Sequence, residues 1–197
     1  MKRLFFVIFL LIIALNAYSV DKVHNMISSN PLAFIIHGIY DLEYERVFDC
    51  KTGFSVSPWF IDNQVDNWKW KAYGGKLGLK VYHSQEYPKG SNAGIFMAAT
   101  NFKADYSYPT PAERPNDEGW TPSDHHGKLT TNSFILLPGI LAGYSWITKK
   151  NILINLTCYT GYAMGEAEVH SEDDNIDERL PFNGFIYSVE IRIGYSW

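Results

Sequence analysis

The chain has 197 residues, a formal net charge of -4 at neutral pH and no Lys/Arg-rich run. This length suits one domain, and an acidic balance offers no positive surface for a phosphate backbone, so we exclude nucleic acid as an expected partner.

The first residues have the pattern of a secretory signal. The basic pair Lys2-Arg3 precedes an apolar run from Leu4 to Leu15, and Ala17-Tyr18-Ser19 supplies small residues for cleavage. We therefore expect a signal peptide over residues 1–19 and one mature domain over residues 20–197. An uncleaved anchor is the alternative, but about 20 apolar residues are needed to span a bilayer. A lipid anchor is not expected, because no cysteine stands directly after the cleavage site, and the first in the chain is Cys50.

Alternation with a period of two, typical of β-strands, begins in the segment from Leu32 to Phe48. Here Tyr40, Leu42 and Tyr44 alternate with Asp41, Glu43 and Glu45. The segment is too long for one tilted membrane strand of about 9 to 11 residues. We predict a tight reversal near His37-Gly38, a short first strand at Leu32 to Ile36, and an even total of about eight strands.

Further alternating segments follow along the chain. In the first, Phe54, Val56, Pro58 and Phe60 alternate with Ser55, Ser57 and Trp59. In the second, Tyr73, Leu77, Leu79 and Val81 alternate with Gly74, Lys76, Gly78 and Lys80. In a third, nearer the C-terminus, Ile152, Ile154, Leu156 and Cys158 alternate with Asn155, Thr157 and Tyr159. Strands are also predicted at Ala93 to Lys103, where the outward face stays unassigned, and at about Phe134 to Trp146, which a short hairpin joins to the next strand.

The C-terminal segment shows the clearest alternation. One face carries Phe185, Tyr187, Val189, Ile191, Ile193, Tyr195 and Trp197, and the other carries Ser188, Glu190, Arg192, Gly194 and Ser196. Apolar residues in the middle, aromatic residues near the end and polar residues opposite are typical of a strand with lipid outside and a polar lumen inside. We expect Tyr187, Tyr195 and Trp197 to form an aromatic girdle and an assembly signal.

The connections alternate in length, as they do in bacterial outer-membrane barrels. Short turns are predicted near Asp49, Tyr87 and Lys149. Longer polar links are predicted at about Ile61 to Lys71, Asp105 to Lys128 and Gly165 to Asn183. The sequence thus predicts an all-β fold: a closed antiparallel transmembrane β-barrel of about eight strands, with the long links outside the cell.

The sequence resembles small, mostly uncharacterised bacterial outer-membrane β-barrel proteins, broadly akin to the OmpA-type transmembrane barrel. The resemblance rests on Asn30-Pro31-Leu32 opening the barrel, Leu42-Glu43-Tyr44-Glu45-Arg46, Gly143-Tyr144-Ser145-Trp146 and Gly194-Tyr195-Ser196-Trp197. It implies an outer-membrane address, contact with membrane lipid and lipopolysaccharide, and recognition of the last strand by the barrel-assembly machinery. It implies no catalytic residues. The usual closing residue is Phe, so Trp197 is a departure that keeps the aromatic character.

Seven charged side chains are predicted to point into the lumen. They are Asp41, Glu43, Glu45, Lys76, Lys80, Glu190 and Arg192. A barrel of about eight strands is only wide enough for side chains to fill it, so a packed network of ion pairs is favoured over a conducting path. Glu43 and Glu45 could suggest acid/base catalysis, but two carboxylates at this spacing also suit a polar lumen wall.

The two largest links raise binding hypotheses. The link at residues 105–128 is stiffened by four prolines and carries His125-His126, whose side chains point to opposite sides of an extended chain, so a shared metal is not expected. The acidic link at residues 165–183 could bind divalent cations that bridge lipopolysaccharide, although a solvated loop explains it as well. The sequence does not indicate which ligand such a surface would bind.

Two other function classes remain as alternatives. A lipid A-modifying enzyme could use Ser123, Asp124 and a neighbouring His, or His83-Ser84, but neighbours in one loop rarely form a catalytic triad. A soluble lipocalin-like carrier would have an apolar interior and a polar exterior, which is the reverse of the pattern in the C-terminal strand. Cys50 and Cys158 are expected to be unpaired, and no cofactor or metal is expected.

Overall fold

A computed structural model of the protein describes residues 24–48, 51–84, 88–109, 126–171 and 177–197. The strands are β1 (His24–Ser29), β2 (Ile39–Asp41), β3 (Glu43–Val47), β4 (Thr52–Val65), β5 (Trp68–Tyr82), β6 (Gly90–Pro109), β7 (His126–Ile147), β8 (Ile152–Ser171) and β9 (Asp177–Ser196), and the helix is α1 (Pro31–His37). The predicted signal peptide, Cys50 and His125 lie outside the described residues.

The strands form one closed antiparallel ring. Each strand from β4 to β9 pairs with the next, β3 pairs with β4 and β1, and β1 pairs with β9 to close the circle. β2 and β3 share one position, because both pair with β4 on either side of Leu42. The described strands therefore occupy eight positions around the ring. This confirms the predicted all-β closed barrel.

We call the half of the barrel that carries the turns at Lys51 and Asn151 the lower half. In this half, apolar side chains face outward and most inward side chains are polar. On β9, Val189 is 66% exposed, whereas Arg192 is 2% exposed. On β6, whose faces the sequence left unassigned, Ile95 and Met97 are exposed and Phe96 is buried. The lipocalin-like pattern, with an apolar interior behind a polar exterior, is absent from this half of the described barrel.

The segment predicted as a short first strand, Leu32 to Ile36, is instead helical. Asn30 caps the helix by accepting a hydrogen bond from the Ala33 N–H at 3.1 Å, Pro31 begins it, and Gly38 ends it with a φ of 65°. The predicted reversal near His37-Gly38 and the strand opening at Asn30-Pro31-Leu32 were therefore wrong. The first strand is β1, which lies upstream of both.

The described residues of the three predicted long links are mostly strand. Ile61 to Lys71 is a hairpin in which β4 and β5 stay paired as far as Val65 and Trp68, around a turn at Asp66 (φ 51°). β8 and β9 stay paired as far as His170 and Asp177. β6 and β7 pair up to Pro109 and His126, and residues 110–125 lie outside the described part. Four strands of 20 to 22 residues therefore rise well above the height that a bilayer requires.

Two buried clusters lie inside the barrel. Met26, Val47, Tyr82 and Leu153 form an apolar floor at the rim that carries the turns at Lys51 and Asn151. Phe96, Leu141 and Tyr159 form a second cluster higher up. Gly139 makes room for it, because a Cβ there would lie 2.6 Å from the Phe96 ring.

In the described part of the chain, no helix is both long and apolar enough to cross a bilayer.

Candidate functional site in the barrel lumen

A buried ion pair group centres on Lys80, which is 1% exposed. Its Nζ lies 3.0 Å from Glu43 Oε1 and 2.5 Å from Glu45 Oε2. Tyr82 Oη donates a hydrogen bond to the other oxygen of Glu45 at 2.6 Å. Strands β3 and β5 hold these groups at alternate positions, so period-two geometry alone aims all of them into the lumen.

A second group centres on Arg192, from β9. Its guanidinium pairs with Asp41 and lies 2.9 Å from Glu190 Oε2. Lys76 Nζ lies 3.2 Å from the same Glu190 oxygen, and 3.9 Å from the centre of the Tyr159 ring, which it faces as a cation–π pair.

Glu43 connects the two groups. Its Oε2 lies 3.8 Å from Lys76 Nζ and 3.7 Å from Arg192 Nε. The structure therefore brings together all seven charged residues named from the sequence, and we call them the lumen network. Because each of its four carboxylates contacts a cation, the charges compensate one another where little water reaches.

Above the lumen network lies a cavity of about 250 Å³, the lumen cavity. Its polar lining includes Asp41, Lys76, Tyr159, Glu190 and Arg192. Two buried polar atoms at this lining, Tyr159 Oη and Arg192 Nη1, have no hydrogen-bond partner among the described atoms. A buried donor without a partner is costly, so these two atoms favour a ligand that offers acceptors.

The outer face of the barrel changes from apolar to polar at a row of residues that are paired with one another from strand to strand. One outward residue from each of β4 to β9 lies in this row, which we call the polar row: Asp62, Lys71, Lys103, Asn132, Glu168 and Arg179. Ion pairs join its ends, at 3.2 Å for Lys71 with Asp62 and 2.9 Å for Arg179 with Glu168. Below the row, the outward side chains of β7 run from Phe134 to Trp146 and are almost all apolar.

The three predicted girdle residues all lie on the outer face. Tyr187 is 86% exposed, and Tyr195 and Trp197 are about half exposed, with their rings stacked 6.3 Å apart. Phe34, Tyr40 and Phe60 add a second aromatic group below the polar row, with ring centres 4.8 and 4.7 Å apart. Cys158 is a free thiol on the outer face.

The candidate catalytic residues of the enzyme hypothesis are either far from the polar row or outside the described residues. His83-Ser84 follows β5 directly at the rim of the apolar floor, far from the polar row, while Ser123 and Asp124 lie outside the described residues. The sequence reasoning missed Tyr82 and placed Tyr159 inward without a role. Both continue the inward alternation of β5 and β8, which is the signal that marks them.

Fold and lumen together define a closed antiparallel β-barrel whose interior is filled by compensating charges. No protein-family model and no curated protein matches the chain. Among solved structures, the chain is similar to a major outer membrane protein from Thermus thermophilus, at 10% sequence identity and a TM-score of 0.43, over 89% of this chain and 99% of that one.

Proposed function

We propose that this protein spans the bacterial outer membrane as an OmpA-type β-barrel. The polar row carries the proposal, because polar outward residues, five of the six charged, lie at one level on six neighbouring strands and most outward residues below that level are apolar. An outer apolar band flanked by aromatic residues, with charges enclosed, is what a bilayer requires of a barrel.

The proposed role is structural or surface-binding rather than catalytic. The lumen network and the apolar floor support a plugged interior, since both lie across the lumen and are buried. Each network carboxylate contacts a cation, which leaves none available as a general base. The paired strands above the polar row would stand outside the bilayer, next to lipopolysaccharide, and could present a surface to a ligand.

Assembly would depend on the aromatic side chains of β9. We propose that Tyr187, Tyr195 and Trp197 are read by the barrel-assembly machinery, and that Tyr195 and Trp197 then rest at a membrane interface, where aromatic rings are favoured. Tyr187 lies at the level of Ile140, within the outer apolar band.

Membrane separation of cells that express the full chain tests the location. The protein is expected to sediment with the outer membrane, to stay there after a detergent-free alkaline wash, and to migrate faster on a gel when unheated. Recovery in the aqueous fraction after the wash would overturn the proposal and favour a soluble carrier.

Unchanged lipid A acyl chains in cells with and without the gene would agree with a non-catalytic role, and altered chains would contradict it.

A further inference from the structure

Above β1, the barrel wall is closed by a helix instead of a strand. The ladder between β1 and β9 ends at Ser29 and Ile193, and higher up the described part of β9 is paired only with β8. At that height α1 takes the place of a strand, in contact with β2 on one side and β9 on the other. Side-chain packing of a short helix, rather than a β-ladder, therefore closes this side of the wall.

The lumen cavity extends to this side of the wall. Ala33 of α1 lines it, as do Ile186 and Ser188 on the edge of β9. Ala33 is small, and the larger side chains of the helix, Ile35 and Ile36, are exposed. A thin part of the wall thus separates the cavity from the lipid-facing side of the barrel.

The inner face becomes apolar above the lumen network. Trp70 and Phe102 meet edge to face with ring centres 5.8 Å apart, and Leu180 and Phe182 continue this inward face on β9. Ile186 joins them to the cavity itself. An alkyl chain that leaves the cavity past Ile186, at the edge of β9, would find apolar contacts there, whereas a wholly polar ligand would not.

The charges around the cavity indicate what kind of head group would fit. Asp41 and Glu190 balance Lys76 and Arg192 there, and the lumen network as a whole has one more carboxylate than cations. An anionic head group would add to that excess. An uncharged head group with hydroxyl or carbonyl oxygens would instead supply acceptors for Tyr159 Oη and Arg192 Nη1, two buried atoms at the cavity that have no hydrogen-bond partner among the described residues.

We propose that the lumen cavity binds a single-chain amphiphile with an uncharged, oxygen-bearing head group of the monoacylglycerol type. The head group lies against Tyr159 and Arg192, and the chain leaves the barrel between α1 and β9. A cavity of about 250 Å³ is below the usual range of about 300 to 1,000 Å³ for whole-ligand pockets, so it holds the head group and the chain extends beyond it. This inference rests on the proposed insertion in the membrane.

The test measures equilibrium binding of radiolabelled 1-lauroylglycerol to the full chain folded in phosphatidylcholine nanodiscs. We expect saturable binding of one molecule per barrel, and weaker binding of laurate at pH 8. Tyr159→Phe keeps the ring over Lys76 but removes the hydroxyl group, and should weaken binding about fivefold to tenfold. Ser188→Trp fills the cavity at its β9 edge and should abolish binding.

Val189→Trp is the matched control, because the same side chain then lies on the outer face of the same strand, where Val189 is 66% exposed. It should bind like the wild type. Equal binding by the wild type, Tyr159→Phe and Ser188→Trp would overturn the site, and laurate binding as tightly as the glycerol ester would overturn the head-group chemistry. If barrels inserted in nanodiscs show either result, the proposed location still stands; a chain that does not insert overturns both proposals.

Discussion

At the scale of single residues, Lys80 is the group on which the lower lumen depends most. It compensates Glu43 and Glu45 together, at 3.0 and 2.5 Å. Lys80→Met leaves two buried carboxylates without their shared cation, so we expect the free energy of unfolding to fall by about 3 to 5 kcal/mol. Urea unfolding of the barrel in phospholipid vesicles, followed by tryptophan fluorescence, measures the loss.

Lys71→Met is the control for that substitution. Lys71 pairs with Asp62 at 3.2 Å, but the two side chains are 53% and 58% exposed. Exposed pairs contribute little, so the loss should stay below about 1 kcal/mol. Equal losses in the two variants would mean that the lumen network does not act as a buried unit.

The alternation of residues 41–45 and 76–80 was enough to predict which charges meet in the lumen. In a strand, the side-chain direction follows from position alone, so a polar residue at every second position can be assigned to one face. Partner distances were not predictable in this way. That Tyr159 Oη has no hydrogen-bond partner among the described residues depends on where side chains from other strands lie, and the sequence contains no signal for that.

At the scale of secondary structure elements, α1 shows where a period-two interpretation fails. Leu32 to Ile36 is a short apolar run, and such runs fit a strand or a helix equally well. The signals that decide the case were present at its ends, in Asn30, Pro31 and Gly38, which are typical of a helix start and stop. β1 was missed because its six residues give too short an alternation to stand out.

The position of the polar row along β7 can be tested by placing the same charge at two depths. Ile140 is 59% exposed in the middle of the outer apolar band, and Asn132 lies in the polar row on the same face. We expect Ile140→Arg to lower the free energy of unfolding from vesicles by about 2 to 4 kcal/mol, and Asn132→Arg by at most about 1 kcal/mol. Similar losses at both positions would place the membrane boundary elsewhere.

At the scale of the whole molecule, the closed ring was predictable and its height was not. The ring follows from the alternating segments between Tyr40 and Trp197 and from the connections between them, although the count of about eight included Leu32 to Ile36, which is helical, in place of β1. The upper half escaped prediction because charged residues such as Asp62, Lys71 and Glu168 were taken as signs of loops. They are outward residues of paired strands. In the proposed location these strands continue above the membrane, where water replaces lipid and polar residues can face outward.

The proposed closure of the lumen is a property of the whole barrel, because it needs groups from several strands of the ring. Met26 and Leu153 meet Val47 and Tyr82 in the floor, and Arg192 of β9 reaches Asp41 of β2 above it. If the interior is plugged as proposed, two such layers interrupt the water path through the described lumen, so the wild-type protein in planar lipid bilayers should show no stepwise currents at about 100 mV, a voltage worth about 2.3 kcal/mol per elementary charge. The same preparation must migrate faster on a gel when unheated, which establishes that the silent protein is folded. Discrete conductance steps from that folded protein would show that ions pass the lumen network, and the proposed plugged interior would have to be replaced by a gated channel.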